Sequence, residues 1–439
     1  MPASILSIGT ALPPTRLPQA HVRDLFAAQA GNDRLTQRLV HAAFDAAAID
    51  TRHTVLADLA RDLPAERMPD HPASRDRAED AAPAEQAART AHTPTTRPTL
   101  PVLDAAGQLQ RPSTGARNAA YVELAPPLFA AAARGALAGA DVSPEAVTHV
   151  VTVSCTGLFA PGPDYRLVRD LGLPPTTERF HLGFVGCAAA LPALRLADAL
   201  CAARPDAVVL VVCAELCTLH FRPSSDPEQI VAASVFADGA AAAVVTARPD
   251  LLDAHRGVRL ALERFATTLT TEGEHDMAWT IGDAGFEMTL SAEVPRIIGR
   301  EIRGAVGSFL GGASPQAWAV HPGGRSVLDR VESGLDLPAD ALTVSRRVLR
   351  EHGNMSSATI LFILAEMMAG TDAVAGDTTI AALAFGPGLT VESAMLTRHG
   401  GVGTAVSAPP FTAATDRVTT DPESTTATPE LAAERVPQP

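Results

Sequence analysis

A layered α/β fold made of two similar halves is what this chain predicts. Apolar strands alternate with helical segments through most of its 439 residues, and the alternation runs through twice. Candidate reactive residues stand where strands end, the position at which such sheets present their variable loops. The first half is assigned to residues 1–245, the second to 246–399, and a tail to 400–439.

Local pattern supports each element in turn. Ile5 to Ile8 reads as a short strand, stopped by Leu12-Pro13-Pro14. Gln19 to Ala30 and Arg34 to Ala48 carry helical spacing. Between Arg61 and Ala116 the chain is crowded with Pro, Arg, Asp, Ala and Thr and loses hydrophobic periodicity. Residues 61–116 are therefore expected to be mostly a flexible insertion, in which Ala84 to Ala91 could form a helix.

Order returns with a helix from Tyr121 to Leu137 and a strand from Val147 to Val153, which delivers Cys155 at its end. A helix over Asp164 to Leu171 and a short strand over Phe180 to Leu182 lead into Gly183-Phe184-Val185-Gly186-Cys187. The alanine-rich run Ala188 to Ala203 is the next helix. Ala207 to Cys213 is a continuous apolar strand of the kind buried on both faces. Phe236 to Ala240 is expected as a loop or short helix entering another buried strand. In the second half, helices are expected at Glu293 to Leu310, Gly323 to Glu332 and Met355 to Met368. Strands are expected at Trp318 to Val320 and Thr379 to Phe385, the latter ending at Gly386-Pro387-Gly388. The Thr-, Ala- and Pro-rich tail has no aromatic residue after Phe411 and is expected to be disordered.

Composition narrows the function. A formal charge of -14 argues against a nucleic-acid partner, because such a partner needs a basic patch. All 35 basic residues are arginine. The five cysteines (Cys155, Cys187, Cys201, Cys213, Cys217) are too few for a disulfide scaffold and lack zinc spacing, so no metal site is expected. With no signal-peptide pattern and no apolar run of membrane-spanning length, the expectation is a reduced, cytoplasmic protein without a membrane span.

Three stretches carry chemistry. Cys187 sits between a Gly-x-x-Gly turn and the start of a helix, where the macrodipole and free N–H groups favour a thiolate. His321, in Trp318-Ala319-Val320-His321-Pro322-Gly323-Gly324, joins a strand to a glycine turn. Asn354, in Gly353-Asn354-Met355-Ser356-Ser357-Ala358, opens an apolar helix. Singly, each has an ordinary structural reading: a small buried residue, a satisfied core histidine, a helix N-cap. As a set they supply what thioester chemistry requires. A thiolate takes an acyl group, an imidazolium keeps the sulfur ionised, and histidine and asparagine donors stabilise an enolate or oxyanion.

These segments, with Phe385-Gly386-Pro387-Gly388-Leu389-Thr390-Val391-Glu392, resemble the type III polyketide synthases, the chalcone synthase-like enzymes of the thiolase fold. The resemblance runs from about Ile5 to Leu396 and implies a five-layered αβαβα architecture and a homodimer. It also implies a reaction in which Cys187 is loaded from an acyl-CoA and extended by decarboxylative condensation with malonyl-CoA. His321 and Asn354 match the partners of that cysteine, and acyl-CoA and malonyl-CoA enter as substrates with no other cofactor. Phe236 matches the first gatekeeper phenylalanine; the second gatekeeper position holds Met288, so that gate is not aromatic. Cys155, Cys217 and His220 stand where plant members carry threonines, Trp279 falls near a glycine that sets cavity width, and Ser356 is retained. Gly386 and Pro387 complete the expected cavity. Basic residues that members place near the phosphates fall on Leu39, Ala42 and Ala46 here, leaving Arg38, Arg52 and Arg325 as candidates for coenzyme A.

The segments around Cys187, Cys217 and Trp279 look most like bacterial alkylresorcinol and alkylpyrone synthases, implying an aliphatic starter and a resorcinol or pyrone product. A malonyl-primed tetrahydroxynaphthalene-type synthase is the alternative. An initiating ketoacyl carrier-protein synthase would share Cys, His and Asn but lack Phe-Gly-Pro-Gly. A catalytically silent scaffold of the same fold would not need the three residues together.

Overall fold

The computed structural model describes residues 2–63, 100–370 and 377–400. In chain order the first half contains β1 (Ser4–Ala11), β2 (Thr15–Pro18), α1 (Gln19–Ala27), α2 (Arg34–Ala46), β3 (Thr51–Thr54), α3 (Thr114–Ala140), β4 (His149–Ser154) and α4 (Pro163–Asp170). It continues through β5 (Glu178–Gly183), α5 (Ala190–Ala203), β6 (Val208–Leu216), α6 (Pro227–Val235) and β7 (Asp238–Thr246). After α7 (Pro249–Ala254), the second half contains β8 (Arg259–Leu269), β9 (Met277–Gly282), β10 (Gly285–Leu290), α8 (Val294–Leu310), β11 (Ala317–Val320) and α9 (Arg325–Gly334). It closes with α10 (Thr343–His352), α11 (Thr359–Ala369), β12 (Thr378–Gly386) and β13 (Thr390–His399).

Duplication is explicit in the sheet. The first half orders its strands β1-β7-β6-β4-β5, and the second orders them β8-β13-β12-β11. Both series run antiparallel, antiparallel, then parallel. The two join where Ser4 and Ile5 pair with Ala261 and Leu260, giving one nine-stranded array.

Hydrophobicity dictates the layering. β6 and β7 are buried along their whole length, so they need cover on both faces. α3 supplies it outside, through a face of small residues including Ala125, Ala132, Ala133 and Ala136. The apolar helices α5 and α11 supply it inside, lying between the two halves. α8, α9 and α10 cover the outer face of the second half. The stretch Gly186–Ala203 is the one among the described residues long and apolar enough to cross a membrane, and it is a component of this middle layer.

Several expectations shift at the boundaries. α3 begins seven residues before Tyr121, because Ser113 caps it by accepting from the Ala116 N–H. The expected insertion is narrower at its C-terminal end, since Val102, Leu103 and Leu109 pack into the first-half core. The loop or short helix expected over Phe236 to Ala240 shrinks to Phe236 and Ala237, between the end of α6 and the start of β7 at Asp238. The possible helix at Ala84 to Ala91 and the tail from residue 401 lie outside the described residues.

Candidate active site

Cys187 lies in a single 3-10 turn, Gly186–Ala188, between the edge strand β5 and the buried helix α5. Two backbone features aim it. Gly186 has φ +74, and a Cβ there would lie 2.3 Å from Pro387 Cδ, so only glycine allows the two loops to meet. Two non-glycine residues near the thiol, Phe184 (φ 57) and Ser356 (φ 47), hold left-handed backbone at roughly 1–2 kcal/mol each.

Asn354 follows Gly353 at the end of α10. Its N–H donates to Val235 O (2.9 Å) and its C=O accepts from the Ala237 N–H (2.8 Å), so it brackets Phe236. Its Oδ1 accepts from the Ser356 N–H (2.8 Å), which turns Nδ2 outward toward Gly323 O at 3.4 Å, in the loop after His321. The amide is thereby oriented as a donor. Ser356 and Asn354 side chains both hydrogen-bond the Cys187 sulfur.

His321 ends β11 and is fully buried, with neither ring nitrogen hydrogen-bonded. Burial alone pushes its imidazole down to about 3. Burial likewise pushes the Cys187 thiol up to about 11, against the opposing hydrogen bonds from Ser356 and Asn354. The sequence led us to expect a thiolate beside an imidazolium. Burial opposes both of those charges, against the hydrogen bonds and the helix-end field that favour the thiolate.

In front of the thiol is a mostly apolar cavity. Cys155, Cys217, His220, Phe236, Trp279, Met288, Ser356 and Pro387 line it with Cys187. Gly386 stands behind the wall, where a Cβ would meet Val185 O at 2.9 Å. Neither His321 nor Asn354 lines this chamber: Asn354 lies beside the thiol, and His321 follows β11, its backbone N–H donating to Leu383 O (2.8 Å). Cys155 accepts from the Gly186 N–H (3.2 Å), so it supports the nucleophile turn as well as the wall.

Sequence reasoning missed Phe286, Met277, Arg222 and Gln229 in the same wall. Phe286 was findable, because it stands two residues before Met288 and faces the same way in a strand. It also missed Glu215, fully buried at the end of β6. Glu215 accepts from the Cys155 N–H (2.9 Å), Thr156 Oγ1 (2.9 Å), Ser154 Oγ (3.3 Å) and Ser357 Oγ (2.6 Å). It therefore ties the Cys155 turn to the Asn354 turn. A lone carboxylate closing an apolar strand was its signal.

Burial raises Glu215 to about 7 from the ordinary 4.5, against those hydrogen bonds. With the folded value raised, its protonated form favours the folded state. That contribution is complete below the ordinary value and is lost as pH rises through the folded one. Glu215→Gln cannot ionise. The stability of the wild type relative to this variant is expected to fall by a few kcal/mol between about pH 5 and about pH 8, as urea denaturation at both would measure.

The coenzyme A candidates divide. Arg38 on α2 and Arg325 at the start of α9 are exposed. Arg52 is corrected: it is fully buried, and its guanidinium donates to the carbonyls of Ala233, Ser234 and Phe236 and to Gln19 Oε1. Every donor faces protein, so it cannot meet a phosphate. It closes the C-terminal end of α6 and holds the Phe236 backbone instead.

A thiol at the seam of two duplicated halves, opening on a mostly apolar cavity, points to an acyltransferase of the thiolase-like fold. Comparison with known proteins makes this particular. Residues 70–249 match the N-terminal domain of chalcone and stilbene synthases, and residues 261–399 match the C-terminal domain. The chain is 35% identical over 300 residues to bisdemethoxycurcumin synthase of Oryza sativa subsp. japonica, covering 65% of this chain and 74% of that one. It superposes on the C-terminal type III polyketide synthase domain of Steely1, a type I/III hybrid from Dictyostelium. That match has a TM-score of 0.75 and 25% identity, over 92% of this chain and 100% of that one. PKS-I from the brown alga Ectocarpus siliculosus gives a TM-score of 0.75 at 26% identity, over 90% and 98%. The chain belongs to the chalcone and stilbene synthase family and is a type III polyketide synthase, an acyltransferase.

Proposed function

We propose that this enzyme loads an aliphatic acyl group from coenzyme A onto Cys187, extends it with malonyl-CoA, and cyclises the product to a resorcinol or pyrone. The observation that carries the starter class is the chamber wall: Phe236, Met277, Met288, Ala232 and Ala233 offer a flexible apolar surface and few groups for a polar starter.

As the thioester carbonyl of the starter arrives, His321 takes the thiol proton and the sulfur attacks. The carbon–sulfur bond to coenzyme A breaks, and His321 returns the proton to the leaving thiolate. Malonyl-CoA then loses carbon dioxide, and the electron pair left behind becomes an enolate whose oxygen faces the His321 N–H and the Asn354 Nδ2–H. Its carbon attacks the Cys187 thioester and expels the thiolate.

Arg38 and Arg325 are proposed to meet the coenzyme A phosphates. Replacing either by Ala is expected to raise KM for the acyl-CoA by about three- to tenfold with kcat nearly unchanged, the loss of one exposed charge-assisted contact. Steady-state kinetics with both substrates would measure it. A homodimer is proposed as well: β5 is an edge strand, and Leu158, Tyr165 and Val185 are exposed on neighbouring segments. Cytoplasmic residence is the accompanying expectation. The starter reading is tested by incubation with malonyl-CoA and a panel of aliphatic and aromatic acyl-CoAs, with products identified by mass. Turnover confined to aromatic starters, or to malonyl-CoA alone, would overturn it.

A further inference from the structure

Three of the five cysteines line the chamber: Cys155, Cys187 and Cys217. Cys201 and Cys213 lie in the middle layer instead. Cys155 and Cys187 come together for a topological reason. β4 and β5 are parallel neighbours with Ser154 beside Gly183, so the turns that follow them emerge at the same end of the sheet. Cys155 opens the first turn and Cys187 stands in the second. The Cys155 sulfur accepts from the N–H groups of Gly186 (3.2 Å) and Phe184, which sets it against the residue that precedes the nucleophile.

The backbone on both sides of this pair is fixed. The Cys155 N–H donates to Glu215 (2.9 Å), and its C=O accepts from Trp279 Nε1 (2.7 Å). Gly186 is pressed against Pro387. The freedom left to the two thiols is rotation about their Cα–Cβ bonds. Their reactivity is unequal. Burial carries the Cys187 thiol up to about 11, and carries Cys155 well above the ordinary thiol range. Ser356 and Asn354 hydrogen-bond the Cys187 sulfur and favour its thiolate, so an oxidant that enters the chamber reacts first at Cys187.

We propose that Cys155 is the resolving cysteine of a reversible redox lock on the nucleophile, with hydrogen peroxide as the oxidant. At Cys187 a sulfur–oxygen bond forms and the oxygen–oxygen bond of the peroxide breaks. The second oxygen leaves as water with the thiol proton, and Cys187 is a sulfenic acid. The Cys155 sulfur then attacks the sulfenic sulfur. The disulfide bond forms, the sulfur–oxygen bond breaks, and hydroxide leaves with the Cys155 proton as a second water. Two thiols give up two electrons, and one peroxide takes them. The disulfide blocks acyl loading until a dithiol reduces it. Without Cys155 the sulfenic acid goes on to a sulfinic acid, which thiols do not reduce. Only the loss of turnover rests on Cys187 as the acyl acceptor; the cross-link itself needs no substrate, so a wrong starter class leaves the test readable.

The test treats the full chain with a small excess of hydrogen peroxide, unfolds it in N-ethylmaleimide to cap the remaining thiols, and maps the peptides by mass. The wild type is expected to give a Cys155–Cys187 cross-linked peptide and to lose turnover, which dithiothreitol restores to within about twofold. In Cys155→Ser, Cys187 is expected to accumulate as the sulfinic acid, leaving turnover down by about tenfold or more after dithiothreitol. Cys217→Ser is expected to form the same cross-link as the wild type. Sulfinic acid on Cys187 to an equal extent in the wild type and in Cys155→Ser would overturn the proposal. A cross-link from Cys187 to Cys217 would overturn it too, by moving the resolving role to the other thiol. Should Cys155→Ser fail to fold, the wild-type peptide map decides alone, and absence of the Cys155–Cys187 peptide overturns the proposal.

Discussion

Cys187→Ala is expected to abolish acyl-enzyme formation. No other thiol substitutes: burial raises Cys155 and Cys217 well above the ordinary thiol range, and acidic Glu215 nearby raises both further. Intact-mass analysis after incubation with the accepted acyl-CoA should show one acyl adduct on the wild type and none on the variant. An adduct of equal abundance on the variant would mean that the nucleophile lies elsewhere. Overall turnover should fall by at least about four orders of magnitude, the scale on which removal of a covalent nucleophile acts.

Asn354→Ala is expected to separate the two half-reactions. In the proposed mechanism starter loading uses the thiol and the imidazole, whereas enolate stabilisation uses the amide donor that the Ser356 N–H orients. Removing one such donor lowers a step by about 100- to 1000-fold. Malonyl decarboxylation, followed as carbon dioxide release, should drop by that factor while adduct formation on Cys187 stays within about threefold. Equal losses in both would assign Asn354 to the integrity of the turn. That outcome has a physical basis to compete with, since the same residue also brackets Phe236 through its backbone. Stability of the variant is therefore measured alongside.

How much was legible in the sequence follows from what each residue depends on. β4, β6 and β12 announce themselves as apolar runs, and the residues they deliver, Cys155, Glu215 and Gly386, fall at or beside their ends. Cys187, His321 and Asn354 were legible because each opens or closes an element whose pattern is strong. The β9–β10 arm was not, because only one face is buried and Asp283, Gly282 and Glu287 interrupt its alternation. Arg52 was misread because a basic residue near an expected phosphate site looks the same whether it faces solvent or carbonyls. How strongly burial opposes charge on Cys187 and His321 was also hidden. The helix-end field that favours a thiolate follows from sequence context, but the desolvation that opposes it depends on how completely the two halves close over the site.

The contact between Gly186 and Pro387 has a consequence for how this protein fails. Cys187 stands on the first half and Pro387 on the second, and the two loops touch at a distance that excludes even one methyl group. The boundary between the halves therefore runs through the reacting sulfur itself. Any slippage between them, from heat, denaturant or a distant destabilising substitution, admits water at the thiol before either half loses its own strands. Alkylation of Cys187 should consequently accelerate ahead of the loss of circular dichroism, making this side chain the earliest chemical reporter of loosening in the fold.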